Sequence, residues 1–138
     1  LKKFVLFFLF LFALVGCSET EQVLDKEQLS ENVKIAKSYL EEKGYDVISL
    51  VSDSSQVITQ EYLETIPGQQ EWNVQPIAPD KYIGKTIDIV MFVVEDHPLN
   101  DKYHGEIRVR VFLYEKEVIG GTSFAVDYDG GPHSLEGE

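Results

Sequence analysis

The chain predicts an α+β fold: one N-terminal helix packed on a twisted antiparallel sheet of four to five strands. Three observations carry this expectation. Leu29, Val33, Ala36 and Leu40 recur at helical spacing, whereas no later stretch of comparable length keeps that period. In the second half, Ile107, Val109, Val111 and Leu113 alternate with Arg108, Arg110, Phe112 and Tyr114, the period of a strand. Turn chemistry at Glu115-Lys116-Glu117 and at Gly130-Gly131-Pro132 divides the apolar runs.

Taken in order, Asp25 and Gln28 resemble a capping box that opens the helix, with each side chain answering a free backbone N–H of the first turn. Glu31, Lys34, Lys37, Glu41 and Glu42 fall mostly off the apolar stripe, and Gly44 stands where a left-handed C-terminal cap is needed. Tyr45 to Val51 is rich in β-branched and aromatic residues and reads as a strand. Ser52-Asp53-Ser54-Ser55 reads as a turn, with Gln56 to Thr59 returning. Thr59 is placed to cap a short helix that Pro67-Gly68 stops. Gln69 to Lys81, carrying Pro76 and Pro79, is expected to be irregular and pinned by Trp72. Along 85–94, Ile87, Ile89, Met91 and Val93 share one face opposite Thr86, Asp88, Val90 and Phe92. The stretch 97–105 reads as a loop. Gly120-Gly121 inside the last strand, 118–128, suggests a bulge or a close backbone approach, and the tail beyond Pro132 is expected to fray.

The first sixteen residues read differently. Lys2 and Lys3 precede an apolar run from Phe4 to Val15, and Leu14-Val15-Gly16-Cys17 closes it. A basic start, an apolar stretch and a small residue before the cut describe a secretory signal peptide. The run is shorter than the roughly 20 residues a membrane-spanning helix needs. Cys17 is the one cysteine of the chain. Leu-Val-Gly-Cys resembles the lipobox of bacterial lipoproteins, in which the cysteine is lipidated and the chain is cut before it. That implies a signal peptide over 1–16 and a lipidated Cys17 with a short tether over 17–24. A single domain over 25–138 would then be held at the extracytoplasmic face of the membrane, with membrane lipid as the partner of Cys17. The tether Ser18 to Leu24 would reach about 25 Å when fully extended.

Without Lys2 and Lys3, 10 basic residues face 24 acidic ones, a net charge of about −14. Such a surface excludes nucleic acid, whose binding depends on basic residues that displace counterions. It leaves solubility, a cationic peptide or Ca²⁺ as readings of the acidity.

Catalytic chemistry finds little support. With Cys17 used for lipid, thiol chemistry and cysteine-type zinc sites are out. His97, His104 and His133 lack metal-ligand spacing and fall in expected loops. There is no Gly-x-Ser-x-Gly elbow and no phosphate loop, so no catalytic residue, resident metal or cofactor is expected. Asp127-Tyr128-Asp129-Gly130-Gly131 resembles part of a calcium loop but lacks a third acidic ligand and the bidentate glutamate. Phe92, Phe112, Tyr114, Tyr103 and Tyr128 are expected on the far side of the sheet. They are either covered by a second layer, the Trp72 segment being the favoured cover, or exposed as a recognition patch. Phe112, Tyr114, Asp127 and Asp129 are therefore the candidate binding residues. Two functions follow as expectations: a non-enzymatic domain that binds an envelope protein or peptide, or a module that senses a small ligand or Ca²⁺.

Further short motifs point the same way. Lys81-Tyr82-Ile83-Gly84-Lys85, Val118-Ile119-Gly120-Gly121 and Asp129-Gly130-Gly131-Pro132-His133-Ser134-Leu135 follow Gly44-Tyr45-Asp46-Val47. In this order they resemble a family of small uncharacterised domains in extracytoplasmic lipoproteins of Bacillus-type bacteria. The likeness covers about residues 36–137 and departs from the family pattern at Thr122, where an acidic residue is usual. It implies the fold and the location, and no site residue.

Overall fold

The structure, a computed structural model, describes residues 29–138. The expected signal peptide, Cys17 with its expected tether, and the capping pair Asp25 and Gln28 lie outside the described residues. A helix, α1 (Glu31–Glu42), leads into a five-stranded antiparallel sheet of strand order β1-β2-β3-β4-β5: β1 (Asp46–Val57), β2 (Thr86–Glu95), β3 (Ile107–Tyr114), β4 (Glu117–Ala125) and β5 (His133–Ser134). Between β1 and β2 lie α2 (Gln60–Glu64), α3 (Ile66–Asn73) and a 3₁₀ turn over Pro79–Tyr82. A further short helix, α4 (Pro98–Lys102), joins β2 to β3.

The cap that opens α1 is Ser30, whose Oγ accepts the Val33 N–H at 3.2 Å. At the other end Gly44 sits at φ +90°. Tyr45 N–H donates to Leu40 O and Gly44 N–H to Glu41 O, the paired bonds of a Schellman cap. Val33, Ala36 and Leu40 are fully buried, as their spacing predicts. They meet Val90, Phe92 and Val94 of β2, Val109, Val111 and Leu113 of β3, and Ala125 of β4. Phe92 therefore faces α1, against the expectation that it points to the far side. The register explains this: Phe92 stands opposite Val109, which places both on one face of the pleat.

The opposite face is covered too. Ile87, Ile89 and Phe112 pack under Ile58, Trp72 and Tyr82. The Trp72 ring lies 6.0 Å from Phe112 and 6.1 Å from Tyr82. The expected cover by the Trp72 segment is thus present; the segment is irregular over 74–78 as expected, but its first part belongs to a helix and its end to a 3₁₀ turn. Thr65 Oγ1 accepts the Gly68 N–H at 3.1 Å and opens α3. Pro67 then falls in the first turn, where no backbone donor is required, and starts a helix instead of stopping one. Thr59 caps α2 as expected, accepting from Tyr62 N–H.

Three other stretches depart from the sequence reading. Ser52 to Ser55 do not turn; β1 runs on through them, pairing with Met91, Val90, Ile89 and Asp88. None of the four is Gly or Pro, and an edge strand leaves polar side chains in water while its partner satisfies the ladder. The expected 97–105 loop contains α4, capped by His97, which is 1% exposed instead of solvated. Its Nδ1 accepts the Leu99 N–H at 3.1 Å, its Nε2 lies 2.8 Å from Leu135 O, and its ring tilts against Tyr45 at 4.6 Å. The tail does not fray. Ser134 and His133 pair with Thr122 and Ser123, and Leu135 enters the core. Lys43 Nζ reaches Glu136 Oε1 at 2.9 Å.

Two predictions follow from these contacts. The β3–β4 turn is made by Glu115 (φ +46°) and Lys116 (φ +67°), residues that tolerate left-handed backbone poorly. Glu115→Asn/Lys116→Gly is expected to raise unfolding stability in urea by about 1 kcal/mol, because the exposed Lys116–Glu31 pair it removes contributes little. Burial holds the His97 imidazole below its ordinary value of 6.5, outweighing Leu135 O and Glu136, which favour the cation. The unfolded chain then takes up the proton first, so this stability is full above pH 6.5 and is lost as pH falls through the folded value. His133 is shifted the same way, first by burial and then by Lys102. Urea midpoints should fall between pH 7.5 and 5.5, and His97→Asn, which keeps a capping side chain, should flatten the slope.

Candidate functional site

The four residues singled out from sequence do not meet. Phe112 is 1% exposed beneath Trp72, so it serves the core and is closed to a ligand. Burial follows from the helical cover, which comes from residues some forty positions away. Tyr114 is half-buried at the hairpin end of β3, edge-on to Tyr82 at 5.3 Å. Asp127 and Asp129 are exposed beyond the far end of β4, roughly 25 Å from Tyr114 along an extended strand. Tyr128, 45% exposed, stacks near Tyr103 (4.8 Å) and His133 (6.0 Å). Among the described residues, no group of three or more His, Cys, Asp or Glu is placed to hold a metal ion. The fold supplies Asp127 and Asp129 with no third acidic ligand.

A different site forms along the outer edge of β4. On that side β5 pairs with Thr122 and Ser123 only. Next to them, Gly121 gives both its backbone groups to one side chain: its N–H donates to Gln75 Oε1 at 2.7 Å, and Gln75 Nε2 donates to its carbonyl at 2.9 Å. These are the two bonds that a residue of a neighbouring antiparallel strand would exchange. Gln75 Nε2 also donates to Glu71 O at 2.8 Å, so the carboxamide is held firmly. The sequence reading of Gly120-Gly121 as a close approach is met here. A Cβ on Gly121 would collide with the Arg110 carbonyl and with Leu135, and one on Gly120 with Gln75. Between Gly121 and the hairpin turn, among the described residues, no strand pairs with β4 on its outer side. A bulge at Ile119, marked by the register shift between Phe112 and Leu113, bends the strand there.

The open edge floors a groove of about 340 Å³, walled by Gln75 and Pro76 on one side and by Tyr39, Ser134, Glu136 and Glu138 on the other. A shallower groove of about 550 Å³ continues from it across Tyr39 and Val118 towards Ile35, Ser38, Glu42 and Glu117. Lys34 lines the shallow groove and Lys43 pairs with Glu136 at the end of α1, so two bases face four rim glutamates, Glu42, Glu117, Glu136 and Glu138. The other edge of the sheet is interrupted more often. β1 carries two bulges, at Ile48 and Val51, that break its register with β2.

Behind the groove, α3 is fixed to the sheet by an ion pair. Arg110 Nη1 lies 2.6 Å from Glu71 Oε2, with Glu71 only 7% exposed. Burial, followed by the Glu71 charge, holds the neighbouring Tyr62 phenol above its ordinary value. Glu71, Gln75, Tyr39, Glu136 and Glu138 were not legible as site residues. Gln75 meets Gly121 across 46 positions, and the one local signal was the glycine pair that needs it. No protein-family model, curated protein or solved structure matches the chain. The site's chemistry is therefore read from its geometry. No helix among the described residues is long and apolar enough to cross a membrane.

Glu71→Ala strands the Arg110 guanidinium and frees α3, so it should lower unfolding stability by about 2 kcal/mol in urea titration. Glu71→Gln, which keeps a hydrogen bond to Arg110, should lose about half as much.

Proposed function

We propose that this chain is a membrane-anchored extracytoplasmic lipoprotein whose domain binds an envelope protein or peptide and performs no catalysis. The observation that carries the binding reading is the β4 edge between Glu117 and Gly121. It has no strand partner among the described residues, and it lies in a groove rather than on a flat surface. Edges of this kind bind extended segments by main-chain hydrogen bonds, with pockets beside them selecting side chains. The anchoring reading is supported by Lys2-Lys3, the apolar run and Leu14-Val15-Gly16-Cys17. The resemblance to small extracytoplasmic lipoproteins agrees with it. Two acyl chains would suffice as an anchor, since each buried methylene contributes about 0.8 kcal/mol.

The test is photo-crosslinking in living cells, with the reactive residue placed at Val118 in the groove or at Ile66, which is exposed elsewhere. One dominant envelope protein captured from Val118, absent from Ile66 and lost in a Cys17→Ala chain, is the expected result. Equal capture from both positions would remove the groove from the reading. Capture unaffected by Cys17→Ala would remove the anchor.

A further inference from the structure

Resting on this binding-module reading, we infer that the groove takes an extended, basic segment of a partner protein. That segment adds to β4 as a further strand and displaces the Gln75 carboxamide from Gly121. The Gln75 contact carries the geometry. A planar carboxamide already makes with Gly121, at 2.9 and 2.7 Å, the two bonds that the N–H and C=O of one residue of a neighbouring strand would make. The backbone N–H and C=O of one residue of an incoming strand fit the same two bonds, and the strand continues towards Glu117, where the outer side of β4 is open. Gln75 thereby satisfies the edge in the unbound protein, since a buried backbone group left without a partner costs about 1–3 kcal/mol. Pro76, directly after it, offers no backbone N–H of its own to the edge.

Charge selects the occupant. Glu136 and Glu138 line the deep part of the groove and Glu42 and Glu117 the shallow part; Lys43 pairs with Glu136 and Lys34 lines the shallow part, so carboxylates outnumber bases at the rim. The chain as a whole carries a net charge of −12. A second copy of this chain would bring like charge to the same rim and is disfavoured; an acidic peptide is disfavoured for the same reason. A basic one is steered in and has its side chains neutralised. Side chains alternate along a strand, so residues of one parity would reach the carboxylates. Those of the other parity would rest on the opposite wall, on Val74 and Pro76, which are apolar. The segment therefore alternates basic and apolar residues.

The probe is a short fluorescein-labelled peptide of alternating lysine and valine, read by anisotropy against the full chain in mild detergent. It should bind, weaken with salt, and lose about tenfold or more in affinity when alternate peptide nitrogens on the edge-facing side are methylated. A glutamate–valine peptide should not bind. Gln75→Ala, checked by thermal melting to be folded, should tighten binding about fivefold because the competing carboxamide is gone. Equal binding of the methylated peptide, or weaker binding by folded Gln75→Ala, would overturn strand addition at Gly121. Absence of lysine–valine binding with the Val118 cross-link intact would overturn the basic segment while leaving the binding module standing. Loss of both would remove the module itself.

Discussion

The register between β2 and β3 decides the rest of the molecule. Val90, Phe92 and Val94 stand opposite Val111, Val109 and Ile107, so one face of the central pair is continuous apolar surface. In the same register Ile89 stands opposite Phe112, which makes a second apolar patch on the reverse face. A slip of one residue would exchange the two faces and send Arg108 and Arg110 under α1. Two faces need two covers, and the chain provides both. α1 lies on the first, and the crossover from Ile58 to Tyr82 lies on the second. The groove at β4 is a consequence, because the same crossover that brings Trp72 onto Phe112 carries Gln75 to the sheet edge three residues later.

Where the sequence carried its own period, the structure could be read from it. The α1 stripe, the Gly44 cap, the alternation in β3 and the Trp72 cover are local patterns or follow from one. What was not legible depended on partners far along the chain. Ser52 to Ser55 have turn-forming residue types, and only the presence of β2 beside them makes a strand the better state. His97 looks like a loop histidine until α4 needs a cap and Leu135 arrives to accept its other nitrogen. The tail looked polar and glycine-rich, yet Leu135 and Lys43–Glu136 dock it. In each case a propensity of a few tenths of a kcal/mol yielded to tertiary contacts worth more.

The candidate site was legible in a narrower sense. Gly120-Gly121 marked a close approach but could not name Gln75, and the aromatics were assigned to the correct strands without the depth that separates Phe112 from Tyr114. Phe112 and Tyr114 share a face of β3, yet one lies beneath the Trp72 ring and the other at the end of the sheet beside Tyr82. Spacing reports the face of a strand and says nothing of how far the opposing layer extends. The acidic pair Asp127 and Asp129 illustrates the reverse: adjacency in sequence gave two carboxylates at one turn, and the fold brought no third to them.

One contact relates the groove to the point where the chain enters the domain: Glu31 at the start of α1 pairs with Lys116, the residue before Glu117. The hairpin end of the groove therefore lies beside the N-terminus of α1. Cys17 to Ser30 spans 13 positions, which limits the separation to about 45 Å of fully extended chain. Were Cys17 lipidated, as proposed, the acidic rim would be confined to a layer next to the membrane, and the net negative charge of the domain would hold the rim off anionic lipid and turned towards partners within that layer.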